Sequence, residues 1–115
     1  SIANLFRIKN QPLKVITFKP SLEDKIGQSL KSELDSRYNL GLSPEEVNEL
    51  FAKIKDEIDK MNREGDKPII LVSPVIRRYV RQFLEPVFTQ ITVLSYSELP
   101  PTVPLDTVGQ IDIIE

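Results

Sequence analysis

The 115-residue sequence predicts a small α/β domain, with a mixed, mainly parallel sheet of about four strands in the order β-α-α-β-α-β-β and helices packed on it. Three observations predict this. Short β-branched runs alternate with longer stretches of helical period. Residues 68–72 form a continuous apolar run, the pattern of a strand buried on both faces. Two helical stretches open on Ser-Pro, a capping residue followed by the proline that suits a first helical position.

Residues 1–11 are irregular and basic and read as a linker or the remnant of a preceding unit; residues 12–115 read as a single domain. Leu13-Lys14-Val15-Ile16-Thr17-Phe18 predicts the first strand. Pro20 ends it, and Ser21 is placed to cap a helix with Asp24 three residues on. Leu22, Ile26, Leu30 and Leu34 give that helix one apolar stripe, stopped by Asn39-Leu40-Gly41. Ser43-Pro44-Glu45-Glu46 is the clearest local signal: cap, first-turn proline and a glutamate that closes a capping box. Val47, Leu50, Phe51, Ile54, Ile58 and Met61 then share one helical face, and Gly65 is placed to end the helix.

Pro68-Ile69-Ile70-Leu71-Val72 predicts a buried strand, and Ser73-Pro74 starts the next helix, with Ile76, Tyr79, Val80, Phe83 and Leu84 facing inward. Pro86 kinks or ends it. Ile91-Thr92-Val93-Leu94-Ser95-Tyr96 predicts a third strand, and Pro100-Pro101 and Pro104 a stiff loop. From Val103 to Ile113 the odd positions are Val, Leu, Thr, Gly, Ile and Ile, a half-exposed strand at an edge. The short connection before it is compatible with an antiparallel last strand, which is what makes the predicted sheet mixed.

Composition narrows the function. Apolar residues make up 40% and charged residues 28%, ordinary for a folded domain. There is no cysteine, so disulfides and thiolate metal sites are excluded, as fits a reducing compartment. No apolar run approaches the roughly 20 residues of a membrane span, so the stretch reads as soluble, whether free or cut from a larger membrane protein. The net charge of −2 is uneven: residues 20–66 carry seven Lys/Arg against twelve Asp/Glu, and residues 67–90 four against one. Basic residues form no long stripe, which argues against nucleic acid. Without histidine or cysteine the usual general base and thiol nucleophile are missing, and the four isolated glycines make no phosphate loop. The sequence predicts no enzyme, no cofactor and no metal site.

Two segments are candidate binding features. The helix start at Ser73 follows a buried strand, and free amides there attract anions. Arg77, Arg78 and Arg81 share a flank of that helix, and arginine's planar fork suits carboxylates of a partner. The loop Tyr96-Ser97-Glu98-Leu99-Pro100-Pro101 offers an aromatic, an acid and stiff prolines. If the strands run parallel, both segments lie at the carboxyl edge of the sheet, which is where open α/β sheets bind ligands. The plain alternative is internal: Arg81 pairs with Glu85, Arg78 braces Glu98, and the rest is solvated surface.

Leu13–Phe18 followed by Ser21-Leu22-Glu23, Pro68 through Glu85, Val93 through Pro101, and Val108-Gly109 occur in the order and spacing of a known family. Over residues 12–114 the chain resembles the type III protein export gate family, and the Ser-Pro and Ser-Tyr-x-Glu-Leu-Pro wording resembles its flagellar branch more than the injectisome branch. The resemblance implies the last subdomain of a cytoplasmic region that follows an N-terminal membrane domain at the bacterial inner membrane. It further implies a ring of full-length copies that docks export chaperone–substrate complexes and other export-apparatus proteins, with membrane contact only through the missing N-terminal part. It carries over no catalytic residue and no chaperone-pocket residue. The reading from another class is a free-standing α/β domain that binds a small anion at Ser73.

Overall fold

The computed structural model describes residues 11–31 and 39–114. The elements are β1 (Leu13–Phe18), α1 (Pro20–Leu30), α2 (Pro44–Arg63), β2 (Ile69–Val72), α3 (Pro74–Leu84), β3 (Thr92–Ser95), a 3₁₀ turn (Tyr96–Glu98) and β4 (Leu105–Ile111). This is the predicted α/β order. Residues 1–10 of the predicted linker and Leu34 of the predicted stripe lie outside the described residues.

The strands lie in the order β3-β2-β1-β4, and all three neighbouring pairs are parallel. The antiparallel last strand is therefore corrected. The chain steps from β1 to β2 to β3 in one direction, with the helices on one face: Ile26, Leu50, Ile54, Ile76 and Val80 pack with Ile16, Ile70 and Val93 in the main core. The return from β3 to β4 crosses three strand spacings the other way, roughly 14 Å. A right-handed return must then use the opposite face. Leu99 and Val103 of the connection do pack there, against Val15, Leu71 and Leu94. Residues 96–104 are thus a crossover without a helix, and a crossover delivers a parallel strand.

The edge strand β4 carries a bulge. Val15 pairs with Thr107 and Ile16 with Gly109, so Val108 is the extra residue. The apolar odd positions therefore change face part-way: Leu105 and Thr107 share the loop face with Leu13 and Val15, and Gly109 and Ile111 share the helix face with Ile16 and Phe18. A Cβ at Gly109 would stand 2.4 Å from Glu57 Oε1 on α2, so any larger residue there would push that carboxylate aside.

The start and stop of α2 follow local chemistry, and another helix start departs from it. At α2 the Ser43 hydroxyl accepts from the Glu46 amide at 3.1 Å, and Glu46 Oε1 accepts from the Ser43 amide at 2.9 Å, the predicted capping box. Lys25 of α1 also pairs with Glu46. At the far end Gly65, with φ of +81°, donates to Asn62 O at 3.0 Å while Asp66 donates to Met61 O at 2.9 Å, a Schellman stop. The departure is at α1. It begins at Pro20 with Lys19 as an uncapping flank, and Ser21, predicted as the cap, sits in the first turn and donates its hydroxyl to Asp112 at 3.1 Å. Proline lacks an N–H and its φ suits the first helical position, so the helix starts two residues earlier than a Ser21 cap would set it.

Candidate functional site

In a parallel sheet every strand ends on the same edge. Here that edge gathers Lys19-Pro20 after β1, Ser73-Pro74 after β2 and Tyr96 after β3. Because β1 and β2 are neighbours, the first turn of α1 lies beside the start of α3. Glu23, on that turn, accepts a hydrogen bond from the Ser73 amide at 3.0 Å. The Ser73 side chain caps nothing in α3. The anion expected at this helix start is thus the protein's own carboxylate, supplied from 50 residues away.

Tyr96 stands at the end of β3 and is nearly half exposed. Its partial burial, and then the charge of Glu23, hold its phenol above the ordinary tyrosine pKa. Ser73, Glu23 and Tyr96 therefore form one electrostatic unit at the carboxyl edge.

Arg77 joins the same region. Its Nε lies 3.2 Å from Glu98 Oε1 and donates to the Val93 carbonyl at 3.3 Å. Glu98 Oε1 in turn accepts from the Ser95 amide at 2.9 Å. So the bracing expected of Arg78 is made by Arg77, one residue earlier. Arg78 is exposed, with its guanidinium 6.0 Å from the ring centre of neighbouring Tyr79. Arg81 pairs with Glu85 at 2.8 Å, as predicted, and both are about half exposed. Arg77 and Arg81 line an open groove of about 290 Å³ between α3 and β3, with Glu85, Thr89 and Leu94.

The structure therefore brings together Ser73, Arg77, Tyr96 and Glu98, and leaves Arg78 and Arg81 further along α3. Sequence reasoning missed Glu23. Its signal was present but not local: an acid one turn past the end of β1 meets the Ser73 amide only once β1 and β2 are known to be neighbours. Among the described residues no group of His, Cys, Asp or Glu could hold a metal ion, and no helix is long and apolar enough to cross a membrane.

The profile of the FHIPEP family matches residues 1–104, which takes in the first eleven residues and stops before β4. The flagellar biosynthesis protein FlhA of Bacillus subtilis (strain 168) is 32% identical over 108 residues, covering 94% of this chain and 16% of that protein. Among solved structures, the Chlamydia pneumoniae CdsV protein superposes with a TM-score of 0.74 at 27% identity, over 98% of this chain and 32% of that one. The Chlamydia pneumoniae CdsV and CdsO complex gives 0.62 at 28% identity, over 88% and 29%. The chain thus spans about a sixth of the curated relative and about a third of the solved chains it matches.

Proposed function

The chain belongs to the FHIPEP family, and from that premise we propose that it is the cytoplasmic C-terminal subdomain of a flagellar type III protein export gate component, acting as a docking and assembly module. The observation that carries the reading is coverage: the flagellar relative matches 94% of the chain, while the chain accounts for 16% of that relative. A piece so small and so completely aligned is one module of a larger machine. Its partners are export chaperone–substrate complexes, other export-apparatus proteins and further full-length copies in a ring. The CdsV and CdsO complex, solved for a relative 28% identical, supports a protein partner. Contact with the membrane comes through parts of the protein outside this chain.

The surface assigned to docking is the exposed flank of α3 around Arg78 and Arg81, with Tyr96 at its head. Among the described residues Arg78 has no acid as a partner, and arginine and tyrosine are enriched in interface cores. The small-anion alternative is disfavoured by Glu23, whose carboxylate already occupies the Ser73 amide and repels a second negative charge. Swimming motility of cells carrying full-length Arg78→Ala, measured beside urea unfolding of this chain with the same change, tests the assignment. Reduced motility with an unchanged unfolding midpoint is expected; normal motility refutes the surface.

A further inference from the structure

Among the described residues the sheet ends at β3, and that edge is not bare. Thr92 N donates to Pro68 O at 3.2 Å, so Thr92 and, by alternation, Leu94 turn their amides toward β2. Val93 and Ser95 turn theirs outward. A strand added in parallel at this edge would place one residue between them, donating to the Val93 carbonyl and accepting from the Ser95 amide. Those are the two groups that side chains already occupy: Arg77 Nε donates to Val93 O at 3.3 Å, and Glu98 Oε1 accepts from Ser95 N at 2.9 Å. The two side chains close on each other at 3.2 Å. One ion pair thus copies the hydrogen bonding of one residue of an absent fifth strand.

The segment so covered has the composition of a self-pairing strand. Gln90-Ile91-Thr92-Val93-Leu94-Ser95-Tyr96-Ser97 is eight residues without a charge or a proline, rich in β-branched and aromatic side chains. Natural sheets blunt such edges with charges. We propose that the Arg77–Glu98 pair is a plug on the open edge of the sheet, and that the occupant it excludes is β3 of a second copy of this chain. A second copy fits because an uncharged strand has no repulsion against its own image, and because antiparallel pairing of two β3 strands would use the same Val93 carbonyl. The inference is independent of the docking role.

The test compares Arg77→Met with Arg81→Met in this chain. Both remove one charge from the same flank of α3, but Arg81 pairs with Glu85, whereas Arg77 bonds the Val93 carbonyl and Glu98. Sedimentation across a concentration series should show Arg77→Met self-associating at about tenfold lower concentration than the parent, while Arg81→Met tracks the parent. Glu98→Ala should also self-associate, and its Ser95 amide should exchange roughly tenfold faster under dilute, monomeric conditions, having lost its acceptor. If Arg77→Met and Arg81→Met sediment alike, the plug is refuted. If Arg77→Met loses its helical circular dichroism, Glu98→Ala decides the matter. Unfolding of both variants makes the pair a folding element, which also overturns the proposal.

Discussion

The starts of α2 and α3 carry the same dipeptide, Ser-Pro, and are stabilised in different ways. At α2 the cap is local: Ser43 and Glu46 satisfy each other's amides across three residues. At α3 the third helical position is Ile76, which has nothing to return to Ser73, and the serine side chain caps nothing. The exposed amide is instead closed by Glu23 from α1. The difference teaches that a cap-proline pair fixes where a helix begins, while the residue three places on decides whether the start is self-sufficient. A self-sufficient start is structural. A start that borrows its acceptor couples separate elements, here α1, α3 and the turn after β3, and this coupled start is the one that sits on the candidate site.

The largest effect should come from breaking the local cap at its glutamate. Glu46→Ala removes the acceptor of the Ser43 amide and the partner of Lys25 together, at a cost of about 2 kcal/mol in urea unfolding near neutral pH. Lys25 is nearly half exposed, so solvent screening keeps the ion pair's share of that small. Acid should erase the difference. The hydrogen bond from Lys25, and then that from the Ser43 amide, hold the Glu46 carboxyl below the ordinary range. A depressed folded pKa contributes stability that is complete above the unfolded value and lost as pH falls through the folded one. The gap between parent and variant should therefore close below about pH 4; a gap that persists in acid would mean that lost packing, not the carboxylate, sets the cost.

The same contrast explains what could be read from sequence. The capping box at Ser43, the Schellman stop at Gly65 and the buried run of β2 were legible because each depends on neighbours within a turn or on a single strand's environment. Ser21 misled because a serine beside a proline can cap or merely follow, and the proline's fixed φ decided it. The direction of β4 was not legible. It depends on which face the 96–104 connection crosses, and only Leu99 and Val103, packed on Val15 and Leu71, reveal that. The bulge at Val108 was hidden for a related reason, since an unbroken odd-position alternation reads identically whether or not its two halves face opposite ways. At the candidate site Arg77 and Glu98 were named but not joined to each other. Two arginines in succession leave the choice of brace to the rotation of α3, which puts Arg77 over β3 and Arg78 in solvent.

Breaking the borrowed cap comes next in size. Glu23→Ala leaves the Ser73 amide without its acceptor, at a cost of about 1–1.5 kcal/mol, since the bond is charge-assisted but partly wet. It has a second signature that the local cap lacks. Glu23 contributes to the raised Tyr96 pKa, behind burial. The Tyr96 ring, followed by nuclear magnetic resonance through an alkaline titration, should therefore titrate lower in Glu23→Ala than in the parent while staying above an ordinary tyrosine. An unmoved Tyr96 would uncouple the phenol from the α3 start and dissolve the unit described above.

The smallest effect is the sharpest test of the comparison, because it sets identical substitutions against each other. Ser43→Ala deletes a hydroxyl that accepts from the Glu46 amide, and should cost about 1 kcal/mol, the usual size for a lost N-cap. Ser73→Ala deletes a hydroxyl that caps nothing, and the Glu23 bond runs to the Ser73 backbone, which alanine keeps. Its cost should stay below about 0.5 kcal/mol, within the range of an uninvolved surface change. Both serines are followed by proline at the first helical position, and the sequence separates them only by Glu46 three places on in one case and Ile76 in the other. Measured side by side in urea, equal losses would show that α3 relies on a serine cap after all and that Glu23 is incidental. A loss at Ser43 with near-silence at Ser73 would show that the two starts, spelled alike, are held by different means. Adding Glu23→Ala to each serine variant extends the test: Ser43→Ala and Glu23→Ala, on separate starts, should add, because they share no partner.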